Sequence, residues 1–224
     1  MVNDKKIIFL IPALNEQKNI KKTIINFKKY GKVVVVDDGS IDNTKIIASK
    51  YSNYLIINNK NMGYDFSIYR GIEYIRKKLN FDLIVVIDGD GQHSIRNIKK
   101  ISKLPSTVQI AVGNRNIKNR LAEHIVGYLS KFIFCLNDPF CGLKVYSKLF
   151  IEKATNYKNI NCIGAYYIAI AKIEKIKVFQ FDVSIKKSGK TSSFDNNIIS
   201  GDIRIIQAFF KLILISFLPK RWIN

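Results

Sequence analysis

Carboxylates fall in two short clusters of this chain, each at the end of an apolar run. They are Asp37-Asp38 in VVVVDDGSIDNT (33–44) and Asp88-Gly89-Asp90 in VIDGDGQHS (86–94). Two carboxylates separated by one glycine on a turn are hard oxygen ligands. They suit Mg²⁺ or Mn²⁺, ions that keep several waters and bind substrate phosphates. A diphosphate leaving group calls for such a cation, because negative charge builds on it as its bond breaks. Gln92 offers a neutral oxygen beside the pair, whereas a lone histidine such as His93 is more often near a site, or on the surface, than a ligand. The plain alternative for both stretches is a capped strand-to-helix turn without a ligand, with the SIDNT run capping the following helix. IPALNEQKNI (11–20) places Pro12 at a strand end and Asn15 and Glu16 at a helix start, where acidic groups are favoured and could hold a sugar or base. In NMGYDFSIYRG (61–71), Gly63, Ser67 and Gly71 recur every four residues, a small helix face that lets another backbone approach.

These groups need a scaffold, and the apolar pattern supplies one. Uninterrupted runs at 6–11, 32–38, 54–59, 82–90 and 108–114 read as buried strands, and 16–29, 42–50, 63–79 and 94–104 between them read as helices. That alternation predicts an α/β fold whose mostly parallel sheet is covered on both faces. Asp37 and Asp88 then lie at carboxyl ends of strands, where open α/β sheets bind ligands. The character changes near residue 115. A helix is expected over 119–136 with Leu121, Ile125, Leu129, Phe132 and Leu136 on one face, a strand over 142–147, a helix over 161–174, a strand over 177–185 and a helix over 198–218 stopped by Pro219. No repeat or linker divides residues 1–224, which read as one domain.

Composition narrows the class. At 47% hydrophobic and 12% aromatic residues the 224-residue chain is globular, not disordered. Its 37 Lys and Arg against 17 Asp and Glu give a net charge of +20. This balance fits a polyanionic partner or a lysine-rich proteome, and because the basic residues are scattered, nucleic acid is not the expected partner. Three cysteines without a C-x-x-C pair argue against a disulfide framework or zinc site and fit a reducing cytoplasm. The N-terminus reads as a first strand, not a signal peptide. There is no G-x-G-x-x-G of a dinucleotide oxidoreductase and no N-terminal G-G-x-G-x-R of a nucleotidyltransferase.

PALNE, VDDGSIDNT, NMG and DGD, in this order and spacing, resemble the family 2 glycosyltransferases of GT-A fold over residues 6–115. The DGDGQH form, GNRNIKNR (113–120), NDPFCGLKVYSK (137–148) and KKSGKTSSF (186–194) resemble the branch of dolichyl-phosphate mannosyltransferase and bacterial polyprenyl-phosphate glycosyltransferases. The resemblance implies a metal-dependent inverting transferase that uses a nucleotide sugar. Pro12, Leu14, Glu16, Val36 and Asp38 would line the donor pocket, with Asp38 near the base. Asp88, Gly89 and Asp90 would meet ribose and diphosphate, Asp90 and Gln92 with Asp88 would serve the metal, and Arg115 and Lys186 would face phosphate charge. By this likeness residues 1–115 form the donor half and 116–224 the acceptor and membrane-facing half. Departures lie on the acceptor side: Lys186 stands where the branch usually has Arg, Ser192 where it has Lys, Ile168 where an acid is common, and FDVS (181–184) where it has EVP.

The acceptor decides whether a base is needed. A sugar hydroxyl must lose a proton as it attacks, and Asp138 is the candidate base by position; a lipid phosphate is already anionic and needs cations instead, for which Arg115, Arg120, Lys144 and Lys186 are candidates. Polyprenyl phosphate is the expected acceptor. A glycan in surface-polysaccharide assembly is the alternative, and an inactive scaffold of the same fold a non-enzymatic one. IIQAFFKLILISFLPKRWIN (205–224) fits a helix lying in the interface of an anionic membrane, with Lys220, Arg221 and Trp222 at headgroup level, or an ordinary core or dimer helix. A peripheral position on the cytoplasmic face follows from the first.

Overall fold

The computed structural model describes residues 5–116, 118, 120–155, 163–185 and 198–218. Lys186, Lys190, Ser192, Pro219, Lys220, Arg221 and Trp222 lie outside the described residues. The first half alternates strand and helix: β1 (Ile7–Ala13), α1 (Ile20–Lys28), β2 (Lys32–Asp37), α2 (Thr44–Tyr51), β3 (Tyr54–Ile57), α3 (Tyr64–Lys78), β4 (Leu83–Val86) and α4 (Arg96–Ser102). The second half contains β5 (Ile110–Arg115), α5 (Leu121–Phe134), β6 (Lys144–Ser147), α6 (Lys148–Ala154), α7 (Ile163–Ile173), β7 (Val178–Val183) and α8 (Ile198–Phe217).

The strands form one seven-stranded sheet in the order β3-β2-β1-β4-β6-β5-β7. All pairs are parallel except those of β6, which runs antiparallel to both β4 and β5. Strand residues alternate between the two faces. Phe9, Ile11, Val33 and Val35 belong to a core layer that includes buried residues of α1, α4 and α8; Ile8, Leu10, Val34 and Val36 belong to the opposite layer with α3 and α6, and α7 contributes to both. This two-sided burial is why the strands read as continuous Val/Ile runs. The chain passes from β1 outward to β2 and β3, then returns to β4 on β1's other side. The crevice between the carboxyl ends of β1 and β4 is therefore a topological switch point, the place where such sheets take ligands.

One local expectation is corrected. The small face of α3 admits a side chain, not a backbone: a Cβ at Gly71 would lie 2.2 Å from Leu10 Cδ1. The SIDNT run caps α2 through Asp42, whose Oδ1 accepts from Thr44 N at 2.9 Å, while Asn43 makes no side-chain cap bond. Its side chains also reach across to the β1–α1 loop. Ser40 Oγ accepts from Asn15 N (3.0 Å), Thr44 Oγ1 from Glu16 N (2.7 Å) and Asp42 Oδ2 from Gln17 N (3.2 Å). The α6 helix is an element the apolar pattern did not predict; Ser147 starts it by accepting from Phe150 N at 3.1 Å.

Candidate active site

The site is built where β1, β2 and β4 end. Pro12 and Val36 are side by side in the β1–β2 register, so two of the expected pocket residues share one place in the sheet. Leu14 and Glu16 follow on the β1–α1 loop, both partly exposed, with Glu16 Oε2 accepting from Asn19 Nδ2 at 3.1 Å. Asp38 is buried at 4% exposure and organises the loop opposite. Its Oδ1 accepts from Asn58 Nδ2 (2.6 Å) and Met62 N (2.9 Å), and its Oδ2 from Gly63 N (2.9 Å). Gly39 is required beside it: φ is +76°, and a Cβ would come within 2.5 Å of the Lys60 backbone.

Asp88 and Asp90 occupy the turn after β4. Gly89 abuts the end of β1, where a Cβ would lie 3.3 Å from Pro12 O, and this contact brings the two loops together. Asp88 Oδ1 accepts from the Tyr64 hydroxyl at 2.8 Å, and His93 Nε2 lies 3.4 Å from Asp88 Oδ2. The Asp88 carboxylate rests over Gly142, where any Cβ would stand 2.1 Å from Oδ2. Asp90 Oδ1 accepts from Gln92 N at 2.9 Å, and among the described residues Asp90 has no ion pair.

Toward β5, Arg115 is held by Asp138 through Nε–Oδ2 (2.6 Å) and Nη2–Oδ1 (2.9 Å), and its Nη2 also meets Glu123 Oε1 at 3.0 Å. Asp138 is 3% exposed. The structure thus places the candidate base in a bidentate ion pair, with both oxygens occupied by Arg115. Lys144 is buried and donates to the Cys141 carbonyl. Arg120 pairs with Asp202 at 3.8 Å. Ile168, the position of the absent acid, is buried in the core.

The sequence model of the glycosyl transferase family 2 matches residues 8–127, which hold Asp38, Asp88, Asp90 and Arg115. The chain belongs to glycosyl transferase family 2. This glycosyltransferase is 28% identical to an uncharacterized protein of Methanocaldococcus jannaschii over 95% of this chain and 93% of that one. It is 27% identical to the UDP-N-acetylglucosamine–dolichyl-phosphate N-acetylglucosaminyltransferase of Methanococcus voltae over 95% of this chain and 96% of that one. Among solved structures it is similar to glucosyl-3-phosphoglycerate synthase from Mycobacterium tuberculosis in complex with Mn²⁺, UDP and glucosyl-3-phosphoglycerate. That likeness has a TM-score of 0.69 at 15% identity, covering 97% of this chain and 82% of that one, and it establishes the GT-A fold.

The electrostatics of the transferase site separate its two central carboxylates. Burial disfavours the Asp88 charge, but hydrogen bonding and charge from His93, the Tyr64 hydroxyl and the Lys144 charge outweigh it and hold the carboxyl below its ordinary value. Burial and the neighbouring Asp88 charge push Asp90 up to about 6. Burial also pulls Lys144 down. For Arg115, burial opposes the charge while Asp138 more than compensates, and the cation is strengthened. A divalent cation fits this donor set: Asp90 is a carboxylate crowded by another and lacking a cationic partner. Among the described residues no group of three or more His, Cys, Asp or Glu could hold a metal ion, so the pair would supply few ligands and leave the rest to diphosphate oxygens and water. Sequence reasoning missed Tyr64, Glu123 and Gly142. Glu123 carried a weak local signal, an acid three residues after Arg120 at the start of α5, where its Oε2 accepts from Arg120 N at 3.3 Å.

Proposed function

We propose that this glycosyltransferase moves a sugar from a nucleotide-sugar donor to a polyprenyl phosphate at the surface of an anionic membrane, assisted by Mg²⁺ or Mn²⁺. The carrying observation is an exposed apolar surface beside the site. Among the described residues seventeen large hydrophobics are exposed, and ten of them lie on two helices: Leu121, Ile125, Tyr128, Leu129 and Phe132 on α5, and Ile203, Ile206, Phe210, Leu214 and Phe217 on α8. The helices pack together, with Phe134 and Phe209 edge to face at 6.4 Å. Glu123 ties α5 to Arg115 at the end of β5, and Asp202 ties α8 to Arg120 at the start of α5. Lys131, Arg204 and Lys211 are exposed along them, and neither helix exposes an acid. An apolar face bordered by cations complements anionic lipid. None of the described helices is long and apolar enough to cross a membrane. Because Phe209, Leu212 and Ser216 of α8 are buried against the protein, that helix would lie in the interface.

In this reading residues 1–115 bind the donor and 116–224 serve the acceptor. Pro12, Leu14, Glu16, Val36 and Asp38 line the nucleotide pocket. Asp88, Asp90 and Gln92 would hold the cation, which when bound neutralises charge on the departing diphosphate. An oxygen of the lipid phosphate attacks the anomeric carbon, the bond from that carbon to the diphosphate breaks, and the electron pair leaves with the nucleoside diphosphate. The configuration inverts. No proton has to be removed, so the engagement of Asp138 by Arg115 is no obstacle, and Asp138 serves as an anchor for that cation instead of a base. Arg115, with Lys186 beyond the described residues, faces phosphate charge. The unpaired thiols of Cys135 and Cys141 suit the cytoplasmic face.

The test is transfer from radiolabelled nucleotide sugars with Mg²⁺ or Mn²⁺ to polyprenyl phosphate or to delipidated glycan. Label entering organic solvent with the lipid, and lost on adding EDTA, is the expected result. Label passing only to glycan would replace the proposed acceptor, and transfer undiminished by EDTA would remove the metal.

A further inference from the structure

We infer that Tyr64 is a positioning residue of the transfer reaction: its hydroxyl fixes the Asp88 carboxylate, and through it the diphosphate end of the donor pocket. The inference rests on the placing of Asp88 in that pocket. Asp88 lies on a turn with glycine at 89 and again at 91, where φ is +76°, so the backbone alone leaves its carboxylate loosely directed. Neighbours from three separate elements confine it. The Tyr64 hydroxyl bonds Oδ1 at 2.8 Å, His93 Nε2 stands 3.4 Å from Oδ2, and Gly142 gives the carboxylate room. Of the two side-chain contacts, only the Tyr64 bond has the length of a normal hydrogen bond.

Tyr64 is itself held. It is the first residue of α3, directly after Gly63, whose φ of +96° sets the entry of the helix and whose N–H donates to Asp38 Oδ2 at 2.9 Å. The next residue, Asp65, accepts from Ile163 N at 2.8 Å and pins the start of α3 to the start of α7. A connected path of chain and hydrogen bonds therefore runs from Asp38 at the end of β2, through Gly63 and Tyr64, to Asp88 at the end of β4. The path links the two carboxylates that the donor reading puts at opposite ends of a nucleotide. The Tyr64 residue is 43% exposed, so its ring is not a core element, and the hydroxyl is the part of it with a partner.

The experiment is a double-mutant cycle on transfer with Tyr64→Phe, Asp88→Asn and the two combined. Tyr64→Phe is expected to lower kcat/KM for the nucleotide sugar about tenfold, the worth of one hydrogen bond to a charged group, with acceptor KM and melting temperature unchanged. In the Asp88→Asn background the same change is expected to add less than about twofold, because its route of action is gone. The four proteins are also titrated with Mn²⁺ and followed by thermal unfolding, which reports on the carboxylates even where turnover is too slow to measure; there Tyr64→Phe should weaken the Mn²⁺ response only when Asp88 is present. Wild-type kinetics in Tyr64→Phe overturn the inference, and so does a tenfold loss repeated without Asp88, which would mean that Tyr64 touches substrate itself. Wild-type turnover in Asp88→Asn is a different failure: it removes Asp88 from the donor pocket and the inference with it.

Discussion

Asp90→Asn is expected to make the metal-free protein more stable while it abolishes transfer. In the fold, burial and the adjacent Asp88 charge raise the Asp90 carboxyl to about 6 from its ordinary 3.8. An acid whose folded pKa is raised contributes stability that is fully present below its unfolded pKa and lost as pH rises through the folded one. The window here runs from about 4 to about 6. A rise of roughly two pH units is worth at most about 3 kcal/mol, and because Asp90 is partly exposed, solvent screening leaves about 1–2 kcal/mol. Asparagine keeps the shape and cannot ionise. At about 2–4 °C per kcal/mol for a chain of this size, the variant should melt roughly 2–8 °C above wild type in EDTA near neutral pH. The gap should shrink to about half near pH 5 and close only below about pH 4, where the unfolded chain carries the proton as well. Saturating Mn²⁺ should stabilise wild type far more than the variant and reverse the order. Transfer should fall at least about a hundredfold, as expected when a ligand to transition-state charge is lost. The assay is thermal unfolding by circular dichroism at both pH values, with EDTA or MnCl₂. A variant that melts below wild type in EDTA near neutral pH, or a gap of equal size at both pH values, would refute the reasoning.

Two more substitutions test the other half of the site. Asp138→Asn strips the buried partner of Arg115 and should cost about 2–4 kcal/mol, a melting drop of roughly 4–16 °C, together with the loss of transfer; lost turnover at unchanged melting temperature, with a titrating limb gone from the pH profile, would instead make Asp138 a base. Phe132→Asp combined with Phe210→Asp should leave melting unchanged, since both rings are about two-thirds exposed, yet reduce co-sedimentation with vesicles of anionic and zwitterionic phospholipid by at least about tenfold. Wild-type protein that stays in the supernatant, or that buries this face in a concentration-dependent dimer, would remove the membrane from the proposal.

The first half of the fold was legible because two independent signals coincide there. A strand covered on both faces must be apolar at every position, so β1, β2 and β4 declare themselves, and a carboxylate directly after such a strand has nowhere to be except the ligand edge. The direction of β6 was not legible. Its four residues carry no mark of direction, and nothing local distinguishes a strand that joins the sheet parallel from one inserted between β4 and β5 the other way round. The partners of the site residues were hidden for a related reason: Tyr64 lies 24 positions before Asp88, and Asp138 lies 23 after Arg115. Position alone gave Asp138 a chemical role, whereas geometry gives it a counter-ion.

The apolar face of α5 shows how periodicity can be right about a helix and silent about where it points. Leu121, Ile125, Leu129 and Phe132 do share a face, whereas Leu136 lies past the end of α5 and is buried, and the ordinary reading of such a stripe is that it meets the core. The structure turns it outward, and the residues facing inward are Ala122, Val126, Gly127 and Ser130. The inward face is small because the helix lies close to the protein: a Cβ at Gly127 would come within 2.4 Å of Asn137 O. On a helix whose bulky side is turned away from the core and whose small side fits closely against the protein, the large residues leave much of their apolar surface in water. They fit a second apolar phase. In the proposed reaction that phase is the membrane carrying the acceptor, and α5 places its face next to Arg115, where the lipid phosphate has to arrive.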